Sequence, residues 1–396
     1  GMFMPSVGVS GSYTNGDGGR SISLPIGDLL NGVYGTLNQL TDSQNFPQVE
    51  NVEQNFFPRN FYDVKARVAV PIVNTDLVYN KRLNQQQIQM QEYEVRVYKR
   101  ELIRNIKVAY FNYLSAREGK EIYASALIRA QEGKRVNESL MKNGKGLPAY
   151  ILRSESEIEQ ITSQRLDAEK KEANAQLYFN FLLNRDSQAP IEIDSTLTAG
   201  SANLESMLTE MYAEGKQREE LLQLQTAVEM NTTVMKMRKS FWTPRLSGFV
   251  DLGAQGEDMQ YNSNSNYYLA GLQMDIPIFA GFTNRHKISQ SKLDVKRAEL
   301  NRTYVGRQFT LGQDVTRNAL VVSYQNYQSA KKQAEAAESY QRLIERGYKE
   351  GVNTFIESID ARNQLTSAQL LVTINQYNVL GAYANLEREL ALYNLD

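Results

Sequence analysis

Four landmarks in the first half of this 396-residue chain return in the second half in the same order. Ala69-Val70-Pro71-Ile72-Val73 reappears 206 residues later as Asp275-Ile276-Pro277-Ile278-Phe279. Gly146-Leu147-Pro148-Ala149-Tyr150-Ile151 reappears 205 later as Gly351-Val352-Asn353-Thr354-Phe355-Ile356, and Tyr178-Phe179-Asn180 matches Tyr383-Ala384-Asn385 at the same offset of 205. Upstream, Phe3-Met4-Pro5-Ser6-Val7 resembles Trp242-Thr243-Pro244-Arg245-Leu246 at an offset of 239, so the first copy carries a longer connection. A unit used twice restricts the fold to arrangements that two tandem copies can share.

Each copy reads as strand, loop, strand, long helix, turn, long helix. Residues 1–73 hold strands 1 and 2 with a long loop, and 74–190 a first long helical hairpin. Residues 202–243 read as a helix before the second copy (Ala202 to Lys239), 244–279 as strands 3 and 4, and 280–395 as a second long helical hairpin. The strands alternate strictly. In Phe61–Val70 one face carries Tyr62, Val64, Ala66, Val68 and Val70, and the other Asp63, Lys65, Arg67 and Ala69. Tyr268, Ala270, Leu272, Met274 and Ile276 alternate with Leu269, Gly271, Gln273 and Asp275, and the segments from Val7 and Leu246 do likewise. That period suits a half-buried strand, or a barrel strand with lipid outside and water inside.

From Asn74 to Lys142 there is no proline, and glycine only at Gly119 and Gly133. At 1.5 Å per residue this is a rod of roughly 100 Å. Ile88, Val95, Leu102, Ala109, Ala116, Tyr123 and Ala130 recur every seven residues, the spacing of a coiled-coil seam. Return helices follow at about Ala149–Leu183 and Thr354–Leu392, the first approached through the turn Gly144–Ala149 and the second through Gly347–Thr354. The first copy has no helix before Met4 to match 202–243. The full-length gene product is therefore expected to carry a signal peptide and one more helix; finding a complete reading frame that begins at Met2 would contradict this.

Forty-four Lys and Arg against 45 Asp and Glu leave a net charge of −1, without the basic excess of a nucleic-acid binder. No cysteine excludes a disulfide framework. The single histidine, His286, excludes a multi-His metal or catalytic site and reads as a surface helix residue. No catalytic, cofactor or metal constellation stands out. No run of 18 apolar residues marks a transmembrane helix. Taken alone, this composition with mean hydropathy −0.49 suggests a soluble globule of two or three domains. The alternating strands reverse that inference, because a barrel exposes only every second residue to lipid.

Four strands cannot close a barrel, for which eight is about the smallest workable number, and an open sheet with a bare apolar face aggregates. Helices of roughly 100 Å cannot fold back to cover strands of roughly 33 Å. Three copies, supplying twelve strands and a continuing tube of helices, resolve this with room for a channel, whereas two copies give a filled barrel. The fold class is thus mainly α with a small β part: a duplicated β-β-α-α unit, antiparallel coiled-coil hairpins and four strands per chain. The remaining alternative is a soluble coiled-coil scaffold or adaptor of the cell envelope, which predicts cover for the apolar strand faces.

The duplicated unit resembles the TolC-like outer-membrane efflux family. The resemblance rests on Trp242-Thr243-Pro244-Arg245-Leu246, Arg218-Glu219-Glu220-Leu221, Tyr110-Phe111-Asn112-Tyr113-Leu114, and Gly351 to Ile356 leading to Asp360-Ala361, and it covers Met4 to Leu392. It implies a homotrimeric channel in outer-membrane lipid with a helical tunnel across the periplasm. The implied partners are a periplasmic adaptor (membrane fusion) protein and an inner-membrane transporter, in drug, metal-ion or type I protein secretion.

Gly146 and Gly351 read as αL residues ending one helix, and Thr354 with Glu357 as a capping box. The resemblance makes the same turns, Gly146, Leu147, Gly351 and Val352, the adaptor-docking surface. It places Glu357 and Asp360 at the constricted entrance as rings of carboxylates favouring cations, against the plainer reading of a solvated acidic helix start. Tyr348 matches a family tyrosine that helps hold the entrance closed. Asn353 stands where a studied relative has arginine and Leu152 where it has an acid, so the gate here must be held differently, through Arg153, Arg346 or packing of Leu152. Phe241, Trp242, Tyr62, Tyr267 and Tyr268, at the strand ends, fit interfacial girdles. The loop Asn15–Asn60 contains a candidate helix, Ile26–Leu40, over the extracellular mouth.

Overall fold

The computed structural model describes residues 3–16, 19–55, 60–197, 204–213 and 215–395. The chain divides into two compact units, Gly1–Gln85 with Thr232–Leu293, and Gln86–Asn231 with Asp294–Asp396.

The first unit holds the sheet. Strands β1 (Ser6–Thr14), β4 (Phe61–Val73), β5 (Arg245–Gly256) and β6 (Asn266–Asp275) form one antiparallel sheet in the order β1-β4-β5-β6. Between β1 and β4 the chain makes a two-stranded ladder, β2 (Ser21–Leu24) with β3 (Val52–Asn55), around helix α1 (Ile26–Thr41). The helix lies where periodicity put it, whereas the short ladder is an addition to the four expected strands. Register in β4 is regular until Pro71, where it slips before Val73. A proline has no N–H to give the ladder, so a bulge is the ordinary outcome there.

The helices are α2 (Thr75–Lys142), α3 (Pro148–Leu182), α4 (Leu204–Glu210), α5 (Glu219–Lys239), α6 (Thr283–Lys349) and α7 (Phe355–Leu390). The single helix expected over 202–239 is thus two helices. The break has a tertiary cause. Lys216 N–H donates to Leu390 O at 2.9 Å, and a Cβ on Gly215 would lie 3.3 Å from that carbonyl. The segment is held against the end of α7, and α5 restarts with Glu219 and Glu220 in its first turn, where acidic side chains complement the helix dipole.

The core of the second unit is uneven. Leu114, Leu320, Tyr327, Tyr377, Val379, Leu380, Leu386 and Leu390 form one cluster of large side chains with Leu204 and Met211. Towards the hairpin turns the described clusters are smaller, Ala126–Ala130–Ile161 and Ala337–Leu365–Ala368, and Phe355, Ile359 and Ala361 are buried as well. Small residues there let helices approach closely. The seven-residue stripe of α2 is correspondingly split: Ala109 and Ala130 are buried, whereas Ile88 and Val95 are exposed.

Candidate functional site

Residues paired directly across antiparallel strands share a face. Val7↔Val68, Val9↔Ala66, Val64↔Ala254, Val68↔Val250, Leu252↔Tyr268 and Leu246↔Met274 therefore lie on one side of the sheet. That side is apolar and largely open: Val68 is 39% and Tyr268 80% exposed, while Ala66, Leu246 and Ala254 are half-buried. The other side is charged. Arg67 donates to both Asp251 oxygens at 2.7 and 2.6 Å and lies 4.8 Å over the Phe249 ring, while Lys65 Nζ donates to Asp63 at 2.9 Å. This reverses a water-soluble sheet, whose apolar face is the covered one.

Aromatic side chains mark both ends of the apolar face. Tyr13, Tyr62 and Tyr268 lie at the end where β4 begins. Phe241 and Trp242 meet edge-to-face at 5.3 Å just before β5, and Phe279 and Phe282 at 5.5 Å after β6. Tyr267 departs from expectation. It pairs with Gly253 on the charged face and its hydroxyl donates to Asp63 at 2.6 Å, so it does not share the face of the other strand-end aromatics.

At the hairpin turns the backbone decides the geometry. Gly351 has φ +82°, with Val352 N–H donating to Gly347 O at 2.8 Å and Gly351 N–H to Tyr348 O at 3.1 Å, a Schellman ending. In the first hairpin the same motif is built on Gly144 (φ +70°), with Lys145 N–H to Leu140 O at 2.8 Å and Gly144 N–H to Met141 O at 3.0 Å. Gly146 is therefore not the αL residue. It is glycine for another reason: a Cβ there would lie 2.6 Å from Met141 N. Leu147 is the uncapped N-cap of α3, with Pro148 following at the start of the helix. Leu147 and Val352 are both exposed.

Thr354 and Glu357 form the expected capping box of α7. Thr354 N–H donates to Glu357 Oε2 at 2.7 Å, and Asn353 Nδ2 reaches the same oxygen at 3.3 Å. These bonds, the backbone one first, hold the Glu357 carboxyl below its ordinary range. Asp360 is exposed one turn on, beside Glu357 on the helix surface. Asn353 serves the turn itself, its side chain lying against the Gly347 backbone where a Cβ would collide. Leu152, Arg153 and Arg346 are exposed.

The contacts that join the two hairpins here were not foreseen from the sequence. Arg362 grips Glu157 with two bonds of 3.1 and 2.8 Å, and its Nη1 donates to Ser358 Oγ at 2.9 Å; both charged side chains are about 5% exposed. Beside them, the Tyr348 hydroxyl donates to Asn137 Oδ1, Asn137 Nδ2 to Ser154 Oγ at 2.8 Å, and Ser154 Oγ to Tyr150 O at 2.8 Å. The Phe355 ring packs between Tyr150 and Tyr348 at 5.1 and 5.7 Å. Burial pushes the Tyr348 hydroxyl pKa up, keeping it a donor. The one available signal was spacing: Glu157 and Arg362 stand 205 residues apart, the repeat offset.

The Arg218-Glu219-Glu220 segment holds the start of α5 against α2 and α7. Arg100 takes Glu219 at 2.9 and 2.5 Å and Tyr393 O at 2.9 Å. Arg218 takes Glu220 and Glu389 at 2.6 and 2.5 Å and stacks 3.8 Å over Phe309, while Arg388 bridges Glu101 and Glu220 at 2.8 and 3.0 Å. Burial raises the Glu220 carboxyl. At Glu219 burial acts the same way but the Arg100 bond and neighbouring charge outweigh it, so that carboxyl is lowered.

A sheet apolar on its exposed side and charged on the other is the pattern of barrel strands with lipid on one side and water on the other. Residues 213–391 match the outer membrane efflux protein family. The fold is that of the CmeC outer membrane channel of Campylobacter jejuni (TM-score 0.67, 14% identity, 98% of this chain and 78% of that one). VceC of Vibrio cholerae gives 0.69 at 11% identity (98% and 87%), and the MtrE outer membrane channel of Neisseria gonorrhoeae 0.69 at 15% (98% and 80%). No curated protein sequence matches the chain. The chain is thus similar to outer-membrane efflux proteins by sequence over residues 213–391, and it shares the fold of these channels along its length.

Proposed function

We propose that three copies of this chain form a passive conduit through the outer membrane, receiving cargo from a periplasmic adaptor and an inner-membrane transporter. The two-faced sheet carries this reading. Its apolar side needs lipid, its charged side needs water, and strands β1 and β6 each leave one edge without a partner in the described sheet. Only closure with other copies meets all three demands, and three copies give the twelve strands that leave a channel. Leu300, Tyr304, Leu311, Val315 and Val322 support it: they form an exposed apolar stripe along α6, spaced 4, 7, 4 and 7, which a neighbouring copy would cover.

In this reading Trp242, Phe241, Tyr62 and Tyr268 anchor the barrel at the membrane surfaces. The turns at Gly146–Leu147 and Gly351–Val352 meet the adaptor, and Glu357 and Asp360 stack as carboxylate rings at the entrance. Gate opening parts Tyr348 from Asn137 and Glu157 from Arg362, with Asn353 keeping its turn, while Leu152 and Arg153 face the neighbouring copy. The test is the detergent-solubilised protein in planar bilayers. A trimeric mass with stepwise conductance is expected, and Glu357→Ala with Asp360→Ala should lower the preference for cations. A monomeric protein without conductance overturns the conduit, and unchanged selectivity overturns the rings.

A further inference from the structure

Helix α1 has one face already occupied and another that is only partly covered. On the occupied side, segment 46–51 is strapped to the helix. Asn31 exchanges two bonds with the Val49 backbone (2.9 and 2.8 Å), and Asn38 two with Phe46 (2.8 and 3.1 Å). Asp28 and Asn51 pair at 3.1 Å, and the rings of Tyr34 and Phe46 lie 5.7 Å apart. Gly27 is buried under the strap, where a Cβ would collide with Val49 O. A 16-residue helix is marginal alone, and these bonds hold it in place.

The other face is Ile26, Leu30, Val33, Leu37 and Leu40, spaced 4, 3, 4 and 3. That is the seam of a coiled coil, with Leu30 and Leu37 at a and Ile26, Val33 and Leu40 at d. Val33, Leu40 and the adjoining Leu29 are exposed, while Ile26, Leu30 and Leu37 are half-buried at the edge of the strapped side. Leucine at a with β-branched residues at d favours three or four strands over two. A lipid-surface helix would instead carry Lys and Arg on its polar side and aromatic residues on its apolar side. Residues 26–41 contain no Lys, Arg, Trp or Phe, and 19–55 set one arginine, Arg20, against Asp28, Asp42, Glu50 and Glu53. The chemistry fits more copies of itself and not an anionic membrane.

We propose that α1 is an interface between copies of this chain: three α1 helices, one per copy, meet in a parallel bundle through the Ile26–Leu40 seam and narrow the outer mouth of the channel. This rests on the trimeric conduit proposed above. Rotation about a threefold axis makes the three helices parallel without further cost, and tethering to a shared barrel supplies the effective concentration that a short seam lacks.

The chain has no cysteine, so an introduced one is read without background. Val33→Cys is placed on the seam and Gly35→Cys on the opposite side, where a Cβ meets open space. Each full-length trimer, its mass and conductance checked first, is oxidised mildly and run without reductant. Val33→Cys should give a disulfide-linked pair several-fold more abundant than Gly35→Cys. Val33→Asp with Leu40→Asp, both at exposed positions, should raise single-channel conductance while leaving the trimer intact. Equal or absent cross-linking in an intact conducting trimer overturns the bundle alone. Quenching by brominated lipid of a fluorophore attached to the thiol of the Val33→Cys variant assigns the face to the bilayer and overturns it as well. Loss of trimer and conductance in the unmodified chain overturns the conduit, and the bundle with it.

Discussion

The middle of the helical unit and its turn end are packed by different rules. Around Leu114, Leu320, Leu380 and Leu386 large apolar side chains fill the space, and the Arg100, Arg218 and Arg388 contacts frame it. At the turn end the contacts between hairpins are small or single apolar groups, among them the Phe355 ring between Tyr150 and Tyr348, together with the buried Glu157–Arg362 pair and hydrogen bonds through Asn137 and Arg129. Apolar packing tolerates small shifts and gains nothing from water. A hydrogen-bonded contact depends on direction and can be exchanged for water. The difference teaches where movement is inexpensive: the turn end can part at its polar contacts while the middle stays closed.

Four substitutions probe that contrast. Arg362→Ala leaves Glu157 buried without its partner and should cost about 3–5 kcal/mol, confined to the turn end. Hydrogen exchange should show protection lost around residues 129–160 and 355–366 while the segments around Leu114 and Leu380 keep theirs. Protection lost evenly throughout would erase the distinction between the two regions. Leu380→Ala, at a position 1% exposed, should cost about 2–5 kcal/mol and lower the denaturation midpoint of the whole unit. Asn137→Ala leaves the Tyr348 hydroxyl without its acceptor and Ser154 Oγ with its bond to Tyr150 O alone, and should cost about 1–3 kcal/mol. In bilayers it should raise the open fraction of the channel without altering open-state conductance.

The smallest effect concerns the start of α7. Because the folded Glu357 carboxyl is held below its ordinary 4.5, its stabilisation is present above that pH and is lost as pH falls through the folded value. Thr354→Ala removes the partner, so the Glu357 titration followed by carboxyl NMR should move up towards 4.5. An unmoved titration would mean the box is not formed in solution.

Much of this was legible because periodicity reports which face a residue takes. The sheet faces read off alternate residues agree with the observed register, apart from the aromatic at Tyr267, whose parity put it on the charged side. Position along the chain was harder to read. Gly144 and Gly146 both sit in the turn, and only the bonds from Lys145 and Gly144 back to Leu140 and Met141 distinguish them. The break between α4 and α5 depends on a carbonyl of Leu390 that is distant in sequence. Asn137, Ser154, Glu157 and Arg362 looked like ordinary helix polar residues, because what buries each lies on another helix.

The pairing of Glu157 with Arg362 also dates itself. Their separation equals the offset aligning the two copies, so each residue occupies the counterpart position of the other. Had the ancestral half assembled as two identical chains about a twofold axis, that position would have faced its own likeness, acid against acid or base against base. A complementary pair can arise there only once the two halves are encoded apart from each other and free to diverge. The ion pair is thus a mark of divergence, and it makes the two halves no longer interchangeable.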